Sequence, residues 1–477
     1  MLKKIWSNPL LYLPIYPLIT PLYWPLLLTK NNIFQIPIQD SLRILAFTFI
    51  VSSIFFFFAH LILKDRHRAA IFTTLCATLF NSYILMMDGW KVLLWLIVAA
   101  LTIFLSRQPG DQLRIAAPWA NIITLCTIFV LSSNILSVSL PRDLLVPKSS
   151  PKPIQLDYTA GRPNVYLIIL DSYARADFLL AQYNYDNSAF LNGLRSRGFS
   201  VDDCATSNYT KTELTLPSMF NMNYIDDLDH DILWNDIRHS LVRSSLEQIG
   251  YKTVAFSTGF VWSDIKDAAY YITPHQKIPM TDFEFFWLKQ TPLVYIGNFL
   301  PMDFNQLYGY SYYQRTMNTL NQFPTVSYLT ESPIFAYVHL IAPHPPFVFD
   351  RQGDFFDHTS LLLDEQTFVA GGFESGYTMV LDYLNPRVLQ ELDSLIKNDP
   401  DAVIIILGDH GPWFTEDLDA YKILLSYRFP GQESVLTPCT SPVNIFRGLF
   451  SSYFDADLPE LNTQQFSPEG VLYQPKQ

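Results

Sequence analysis

The chain has 477 residues, of which 49% are hydrophobic and 16% are charged, and its formal net charge is −12. An acidic chain without a basic stripe is poorly suited to a phosphate backbone, so we expect no nucleic-acid partner. The length is sufficient for at least two structural units. The four cysteines form no Cys-x-x-Cys pair, which argues against a thiolate zinc site.

Residues 1–141 are predicted to form a membrane domain, because long uncharged apolar stretches dominate this region. A membrane-spanning helix needs roughly 20 apolar residues, and most of these stretches come close to that length. The predicted spans are Leu10–Leu28, Ile44–Leu63, Ala69–Met87, Val92–Ser106 and Ile115–Pro141. Prolines interrupt the first stretch, so we expect a kinked span there. The sequence thus predicts a multi-span α-helical domain of about five helices.

Three clusters of basic residues flank these spans, and all three fall on one side of the membrane if there are five spans. They lie at Lys3 and Lys4, between Lys64 and Arg68, and at Arg107 and Arg114. Basic flanks favour the cytoplasmic side of a membrane. An odd number of spans then leaves everything after residue 141 on the extracytoplasmic face.

The rest of the chain is predicted to be a linker followed by a globular α/β domain. Residues 142–162 are rich in Pro, Ser and Lys, as in a linker, and residues 163–477 form the domain. Buried strands are predicted at Asn164–Leu170, Thr253–Phe256, Ile334–Leu340 and Ala402–Leu407. Helices are predicted at Asn187–Arg197, Ile237–Gln248, Met379–Lys397 and Pro442–Tyr453. This alternation predicts a mostly parallel central sheet flanked by helices, while the aromatic-rich residues 263–330 are irregular and receive no element.

Residues suited to metal chemistry follow the predicted strands. Asp171 follows the first strand, and the pair Asp409 and His410 follows the last. Ligands of open α/β sheets bind at these carboxyl ends. Two Asp, one His and the hydroxyl of Thr212 form a ligand set suited to Zn²⁺ or Mn²⁺. A divalent ion lowers the pKa of a coordinated alcohol, so Thr212 would become a nucleophile at neutral pH.

Each of these residues also has an ordinary structural interpretation. Asp171 and Thr212 are residue types that commonly cap helices. His339 is interpreted as a buried core histidine, Lys211 as a solvent-facing residue and Asn208 as a turn residue. The four ligand candidates Asp171, Thr212, Asp409 and His410 nevertheless occur together, and this combination favours a functional site over the separate explanations.

The stretch Thr212–Phe220, together with Asp171 and the Asp409-His410 pair, resembles the alkaline phosphatase/sulfatase superfamily. The similarity covers about residues 160–455 and is greatest to the membrane-anchored branch of lipoteichoic acid synthases and lipid A phosphoethanolamine transferases. It implies a sulfatase-like catalytic domain in which Asp171, Thr212, Asp409 and His410 bind the metal. Thr212 corresponds to the nucleophile, and His344 resembles the histidine that contacts the transferred phosphate or the leaving group.

The resemblance also implies a reaction and a location. The expected enzyme moves a phospho-alcohol group from a membrane phospholipid donor to a surface glycan or lipid acceptor through a phospho-threonine intermediate. It is expected to be a multi-pass protein of the bacterial cytoplasmic (inner) membrane with an extracytoplasmic catalytic domain. Candidate substrate-binding residues are Asn208, Lys211, Arg175 and His339.

Two features separate the chain from parts of this superfamily. No histidine follows His410, which argues against phosphoethanolamine as the transferred group, and Asp171 occupies a ligand position where relatives often carry Glu. The Cys/Ser-x-Pro-x-Arg motif that is converted to formylglycine is absent, which disfavours sulfate-ester hydrolysis.

Three questions remain open from the sequence. A hydrolase or phosphodiesterase that cleaves a phosphate or sulfate ester would use the same residues as a transferase. After the transferase and the hydrolase, the remaining interpretation is a non-catalytic membrane scaffold of envelope biogenesis. Cys204 and Cys439 can pair only if the fold brings them together.

Overall fold

The computed structural model describes residues 12–33, 37–82, 89–144, 151–159, 161–225, 237–275, 279–293, 304–356, 372–412, 418–432, 435–467 and 472. The chain divides into two compact units. The N-terminal unit comprises Met1–Pro147 and Met280–Phe304, and the catalytic unit comprises Lys148–Pro279 and Asn305–Gln477. Lys3, Lys4, the start of the first predicted span (residues 10–11) and the end of the third (residues 83–87) lie outside the described residues.

The N-terminal unit is helical, and each predicted span overlaps a helical segment. The helices are α1 (Tyr16–Ile19), α2 (Tyr23–Asn31), α3 (Ile38–Leu63), α4 (Arg66–Asn81), α5 (Gly89–Ser106) and α6 (Gly110–Leu144). A 3₁₀ turn at Thr20–Leu22 separates α1 from α2, as expected for a proline-interrupted segment. Asp65 caps α4 by accepting hydrogen bonds from the backbone N–H groups of His67 and Arg68.

Two of these helical stretches are long and apolar enough to cross a membrane, namely Ile38–Leu63 and Gly110–Ser137. Large apolar side chains on both face outward, including Ile62 at 77% exposure and Phe129 at 71%. In water such exposure would be unfavourable, whereas lipid accommodates it. Within the described part of the chain no other helix passes this test, so the count of five spans stays a prediction.

The catalytic unit contains a seven-stranded mixed sheet that is mostly parallel, as predicted. Its strands are β1 (Val165–Leu170), β2 (Ser200–Val201), β3 (Lys252–Phe256), β4 (Tyr270–Ile272), β5 (Ile334–Leu340), β6 (Val403–Leu407) and β7 (Leu425–Arg428). Their order is β2-β7-β6-β1-β5-β3-β4. Only β7 pairs antiparallel, with β6 on one side and β2 on the other. All four predicted strands are present, and the residues of β1, β5 and β6 are fully buried.

The remaining helices, in chain order, are α7 (Ala176–Tyr183), α8 (Ser188–Arg195), α9 (Thr212–Asn221), α10 (Leu241–Gln248), α11 (Asp282–Lys289), α12 (Phe304–Gln322), α13 (Phe373–Asn398) and α14 (Pro442–Phe454). The four predicted helices correspond to α8, α10, α13 and α14. Phe220 of α9 and Phe446 of α14 stack at 6.0 Å and contact Phe335 of β5, which fixes both helices on one sheet face.

The region 263–330, interpreted as irregular from the sequence, contains α11 and α12. The buried face of α12 includes Tyr308, Tyr312, Arg315 and Thr319. These positions recur with helical spacing, but the residues are polar or aromatic. A hydropathy pattern therefore does not reveal the helix.

Helix α11 belongs to the N-terminal unit, although both flanking segments belong to the catalytic unit. Thr281 and Glu284 form a reciprocal capping box that begins the helix. Phe283 and Trp287 are buried with Leu28 and Ile44. Glu284 also forms a 2.7 Å ion pair with Arg43 of α3.

Part of the predicted linker is packed rather than free. The backbone N–H of Ile154 donates to Ser245 at 2.9 Å, and that of Asp157 donates to the carbonyl of Phe454 at 2.9 Å. Leu156 is buried in the core of the catalytic unit. Helix α6 also continues to Leu144, so the linker boundary at 142 lies inside a helix.

Cys204 and Cys439 form a disulfide, with their Cα atoms 4.7 Å apart. The bond joins segments 235 residues apart in sequence. Asp202 lies beside it and accepts backbone hydrogen bonds from Cys204, Cys439 and Thr440. The disulfide and this carboxylate together fix the loop that leads into α14.

Candidate active site

Three neighbouring parallel strands end at one place in the catalytic unit. Strand β1 lies between β5 and β6, and it ends at Asp171. The backbone N–H of Asp171 donates to Leu340 at the end of β5, and the N–H of His344 donates to the carbonyl of Asp171, both at 3.0 Å. Because adjacent parallel strands end at one sheet edge, residues far apart in sequence meet here.

The turn after β1 fixes the Asp171 carboxylate relative to that of Asp409. Ser172 has φ of +62°, a left-handed conformation that costs a non-glycine residue about 1–3 kcal/mol. In this conformation its N–H donates to Asp409 Oδ1 at 3.0 Å. The Tyr377 hydroxyl secures the turn by donating to the Ser172 carbonyl at 2.8 Å.

Glycine is required at the end of β6. A Cβ atom on Gly408 would lie 2.3 Å from the backbone carbonyl oxygen of Tyr173. One on Gly411 would lie 2.8 Å from the carbonyl oxygen of Ala420. Both obstacles are backbone atoms, so Asp409 and His410 are held in a segment that accepts no side chain on either flank.

Asp171, Asp409 and His410 form a cluster in which one ligand atom from each lies within 4.8 Å of the others. His410 Nε2 lies 3.7 Å from Asp171 Oδ1 and 3.7 Å from Asp409 Oδ2. These two carboxylate oxygens are buried and have no hydrogen-bond partner among the described residues. His410 Nδ1 donates to the Gly411 carbonyl at 2.6 Å, which leaves the Nε2 lone pair directed to a ligand.

This donor set fits a divalent cation. A buried carboxylate oxygen without a partner is strongly unfavourable, and a coordinated cation removes that cost. Two carboxylates and a neutral imidazole are hard and borderline ligands of the kind that bind zinc or manganese.

The charges of the cluster are mutually dependent. Burial alone would raise the pKa of the Asp171 carboxyl, but nearby His344, His339 and His410 outweigh burial and hold that pKa at about 2. Burial would likewise lower the pKa of His410, but the carboxylates of Asp409 and Asp171 raise it above its ordinary value. The Asp171 carboxylate is thus ionised at neutral pH, as a metal ligand must be.

A hydrogen-bonded chain supports Asp171 from behind. His339 Nε2 lies 3.1 Å from Asp171 Oδ2, and His339 Nδ1 lies 2.6 Å from the Ser263 hydroxyl. The Tyr337 hydroxyl is 3.0 Å from that of Ser263 and 3.2 Å from His339 Nδ1. All of these side chains are buried, so they fix the orientation of the Asp171 carboxylate.

The open side of the cluster faces a cavity of about 350 Å³. The described residues lining it are Asp171, Thr210, Lys211, Thr212, Glu213, Phe260, Trp262, Ile341, His344 and His410. The cavity therefore combines the cluster with a hydroxyl, a lysine and a second histidine. Phe260 and Trp262 form an aromatic part of its wall.

Thr212 is the first residue of α9, and Lys211 occupies the N-cap position. The Thr212 hydroxyl is therefore not a helix cap. This differs from the structural interpretation of Thr212 as a capping residue. Thr212 is 5% exposed, and no described residue hydrogen-bonds its hydroxyl. Thr215, one turn later, instead donates to the Tyr209 carbonyl at 3.3 Å.

Two predicted substrate-binding residues have structural contacts away from the cavity. The Asn208 amide donates to Ser441 and to the Gln464 carbonyl, and its oxygen accepts from the Val443 N–H. Arg175 pairs with Asp177 at 2.7 Å and donates to the Ala205 carbonyl. Neither residue is among the described cavity-lining residues. His339 lies behind Asp171, whereas Lys211 lines the cavity.

Sequence reasoning did not identify Glu213, Phe260 and Trp262 in the cavity, or Ser263 behind it. Glu213 directly follows Thr212 in sequence, so the assignment of Thr212 as the nucleophile could have indicated that Glu213 lies in the cavity. The other three lie in a loop after β3 whose sequence contains no strand or helix pattern. Their place depends on β3 lying next to β5 in the sheet.

Solved structures resemble the chain only remotely. The C-terminal periplasmic domain of EcEptC from Escherichia coli, in complex with Zn, is 13% identical with a TM-score of 0.46, covering 68% of this chain and 96% of that one. The integral membrane lipooligosaccharide phosphoethanolamine transferase A from Neisseria meningitidis is 13% identical with a TM-score of 0.36, covering 88% of each chain.

The lipoteichoic acid synthase LtaP from Listeria monocytogenes is 13% identical with a TM-score of 0.38, covering 69% of this chain and 79% of that one. No curated protein matches the chain. The family model described as Sulfatase matches residues 163–438, which is more than half of the chain and contains the whole cluster and cavity. The protein is therefore a member of the sulfatase family and an enzyme of the sulfatase-like superfamily.

Proposed function

We propose that this protein is a metal-dependent phosphotransferase that moves a phospho-alcohol group from a membrane phospholipid to a surface glycan or lipid. One observation carries the proposal. Thr212, with a free hydroxyl at the start of a helix, lines the same cavity as Asp171 and His410 of the buried cluster. A hydroxyl that lines the same cavity as a buried carboxylate–histidine cluster is the arrangement that metal-assisted phosphoryl transfer uses.

Asp171, Asp409, His410 and the Thr212 hydroxyl would hold a divalent cation, Zn²⁺ or Mn²⁺. The bound ion would lower the pKa of the Thr212 hydroxyl and offset negative charge on the phosphoryl oxygens. His339, Ser263 and Tyr337 would keep Asp171 in the orientation that binding needs.

The reaction has two displacements at phosphorus. In the first, the Thr212 alkoxide forms a P–O bond, the bond from phosphorus to the donor alcohol breaks, and protonated His344 gives its proton to the departing alkoxide. In the second, an acceptor hydroxyl forms a new P–O bond and gives its proton to His344, while the bond to Thr212 breaks. Both residues return to their starting protonation states, so the cycle closes without another reactant.

Lys211 and the start of α9 would bind the phosphoryl group. Lys211 lines the cavity and is exposed, so its ammonium can reach an anionic oxygen. A helix N-terminus carries partial positive charge that also favours an anion. Phe260 and Trp262 would contact the apolar or glycan parts of a substrate.

Two features support an extracytoplasmic catalytic domain on a multi-pass anchor in the bacterial inner membrane. Two N-terminal helices are long and apolar enough to span a membrane. The Cys204–Cys439 disulfide is typical of an oxidising compartment. A membrane-anchored active site would suit a phospholipid donor, as expected of the lipoteichoic acid synthase and phosphoethanolamine transferase-like branch.

The alternative function is that of a phosphodiesterase, in which water resolves the phospho-threonine. The openness of the cavity to solvent favours this alternative, since nothing described covers Lys211. Sulfate-ester hydrolysis is disfavoured because Thr212 cannot become formylglycine. A non-catalytic scaffold is disfavoured because all four ligand positions carry residues that can bind a metal.

A labelled donor distinguishes transfer from release. Full-length protein is incubated with Mn²⁺ or Zn²⁺ and a phospholipid carrying a radiolabelled head group, with and without cell-envelope glycolipid. We expect label on the acceptor, with little free head-group phosphate. Quantitative release of water-soluble label despite added acceptor would overturn the transferase and establish the hydrolase, and Thr212→Ala should abolish both products.

A further inference from the structure

A second cavity, of about 250 Å³, lies within the N-terminal unit. It is formed by α3 and α4 and by the Trp287 side chain of α11. The two-residue connection between α3 and α4 makes them antiparallel, and Phe55 stacks on Phe72 at 5.9 Å near that connection. At the opposite end, Trp287 contacts Phe47 at 5.8 Å and Phe80 at 6.5 Å.

The cavity wall is apolar and open on one side. Phe47, Val51 and Phe55 line it from α3 and are 46%, 46% and 41% exposed. These residues span about 12 Å along a helix at 1.5 Å per residue, which is close to one leaflet of a hydrocarbon core about 30 Å thick. The opening thus lies on a helix that itself is long and apolar enough to cross a membrane.

Four buried polar atoms belong to residues of this mostly apolar wall, which also includes Ser52. Thr48 Oγ1, Thr73 Oγ1, Asn81 Oδ1 and Trp287 Nε1 have no hydrogen-bond partner among the described residues. The two hydroxyls and the indole N–H can donate, so an occupant with acceptor oxygens can satisfy these three, whereas Asn81 Oδ1 is itself an acceptor and would need a donor. No charged side chain occurs among the described residues lining the cavity, which disfavours a phosphate or carboxylate group.

We propose that this cavity binds one acyl chain of a glycerophospholipid. The hydrocarbon lies along α3 between Phe47 and Phe55, and the ester carbonyl accepts hydrogen bonds from the buried donors. An ester is neutral and rich in acceptors, so it satisfies these donors without requiring a cationic partner. The inference rests on the membrane location given under the proposed function, and it adds a lipid-binding site distinct from the metal cluster.

The chain contains its own reporter for this site. Cys76 lines the cavity, whereas Cys126 is exposed on α6, and these are the two free cysteines. Full-length protein is delipidated in dodecyl maltoside and treated with N-ethylmaleimide, with and without dioleoyl phosphatidylglycerol. The alkylation rate at each cysteine is read by peptide mass spectrometry.

We expect the phospholipid to slow alkylation of Cys76 about tenfold when it is present at about ten times its Kd, because protection scales as 1 + [L]/Kd. Alkylation of Cys126 should be unchanged. Equal protection of both cysteines would mean non-specific coverage by lipid, and absence of protection would mean an empty cavity. Either result overturns the proposal.

Two comparisons test the role of the polar atoms. A dialkyl ether analogue of the same lipid lacks the ester carbonyl and should protect Cys76 less. The ester lipid should likewise protect Cys76 less in the Thr73→Val variant than in the wild-type protein. Thr78→Val is the matched control, because Thr78 lies on the same helix outside the cavity lining and donates to the Thr74 carbonyl. Equal protection in all arms would overturn ester recognition. A phospho-threonine adduct that forms while Cys76 stays unprotected would remove this site and leave the proposed reaction intact.

Discussion

The active-site cavity and the N-terminal cavity are each associated with buried polar atoms that have no partner among the described residues, but those atoms differ in kind. In the catalytic unit they are carboxylate oxygens beside an imidazole, whereas in the N-terminal unit they are hydroxyl, amide and indole atoms. Buried carboxylate oxygens need a cation, whereas the uncharged donors of the second cavity need acceptor atoms. The comparison shows that the chemistry of unsatisfied atoms, more than the shape of a cavity, indicates its occupant.

The cavities also differ in how they are built. The cluster of Asp171, Asp409 and His410 lies at the ends of three adjacent parallel strands, and backbone hydrogen bonds align these strands with one another. The N-terminal cavity depends on side-chain packing of two helices and Trp287. Substitutions should therefore act through metal binding in the first cavity and through lipid occupancy in the second.

The largest effect is expected from Asp409→Asn, which removes a ligand charge. Transfer should fall on the order of 10⁴-fold, a typical cost of losing one member of a catalytic group. Metal content should also fall, as measured by elemental analysis of the purified protein. Because Asp409 and Asp171 raise the pKa of His410, protons compete for that ligand, and metal affinity of the wild type should decrease as pH falls through its pKa.

Asp177→Asn is the matched control for this change. Asp177 is a half-exposed carboxylate paired with Arg175, and it does not line the cavity. It should retain metal and activity. Full metal content in Asp409→Asn would contradict the assignment of the cluster as a metal site.

His344→Gln should lower lipid turnover by about 10²–10⁴-fold, since it removes the general acid. Metal content should be unchanged, which would separate the acid from the ligands. With a nitrophenyl phosphodiester, whose leaving group needs no proton, the loss should be much smaller. An equal loss with both substrates would contradict proton donation by His344, and His275→Gln, at an exposed position away from this cavity, serves as the control.

Cys204→Ser combined with Cys439→Ser should destabilise the catalytic unit by about 2–5 kcal/mol, because the disulfide restricts the unfolded chain. The melting temperature should fall, and reducing agent should lower that of the wild type in the same way. Cys126→Ser, which affects an exposed free cysteine of the N-terminal unit, should have no such effect. Equal melting temperatures in all three proteins would exclude a stabilising disulfide.

The smallest effect is expected from Ser263→Ala, which removes the partner of His339 Nδ1 and loosens the orientation of Asp171. Metal affinity should fall by about 10–100-fold, the usual effect of losing an outer hydrogen-bond partner. Added metal should restore turnover, which distinguishes a positioning residue from a catalytic one. Ser244→Ala, at a hydroxyl bonded only within its own helix, is the control, and a loss that metal does not restore would contradict the positioning role.

Much of the catalytic unit could be predicted from its sequence. Strands buried on both faces are continuous apolar runs, so β1, β5 and β6 stood out, and the residues that follow them necessarily meet at one edge. Edge strands β2 and β4 have only two and three residues, respectively, and carry no such pattern. Helix α12 was missed because its buried face is polar and aromatic.

Other features depend on tertiary contacts that no local pattern encodes. Ser263 contacts His339 because β3 lies next to β5. The Asn208 amide donates hydrogen bonds to Ser441 and to the carbonyl of Gln464, which lie near the C-terminus. Helix α11 packs with the N-terminal unit although its neighbours in sequence belong elsewhere. The helix α3 was predicted from its apolar composition and is long enough to cross a membrane, whereas the proline-interrupted first span and the number of membrane crossings stay predictions.

The measurement that tests the central claim most directly is intact and peptide mass spectrometry of the full-length protein after incubation with Mn²⁺ or Zn²⁺ and bacterial phospholipid. We predict a phosphate-containing adduct on Thr212 that is absent from Thr212→Ala and retained in Thr215→Ala, and its mass would identify the transferred group. Turnover of the lipid without an adduct on Thr212, or with one on another residue, would contradict the account.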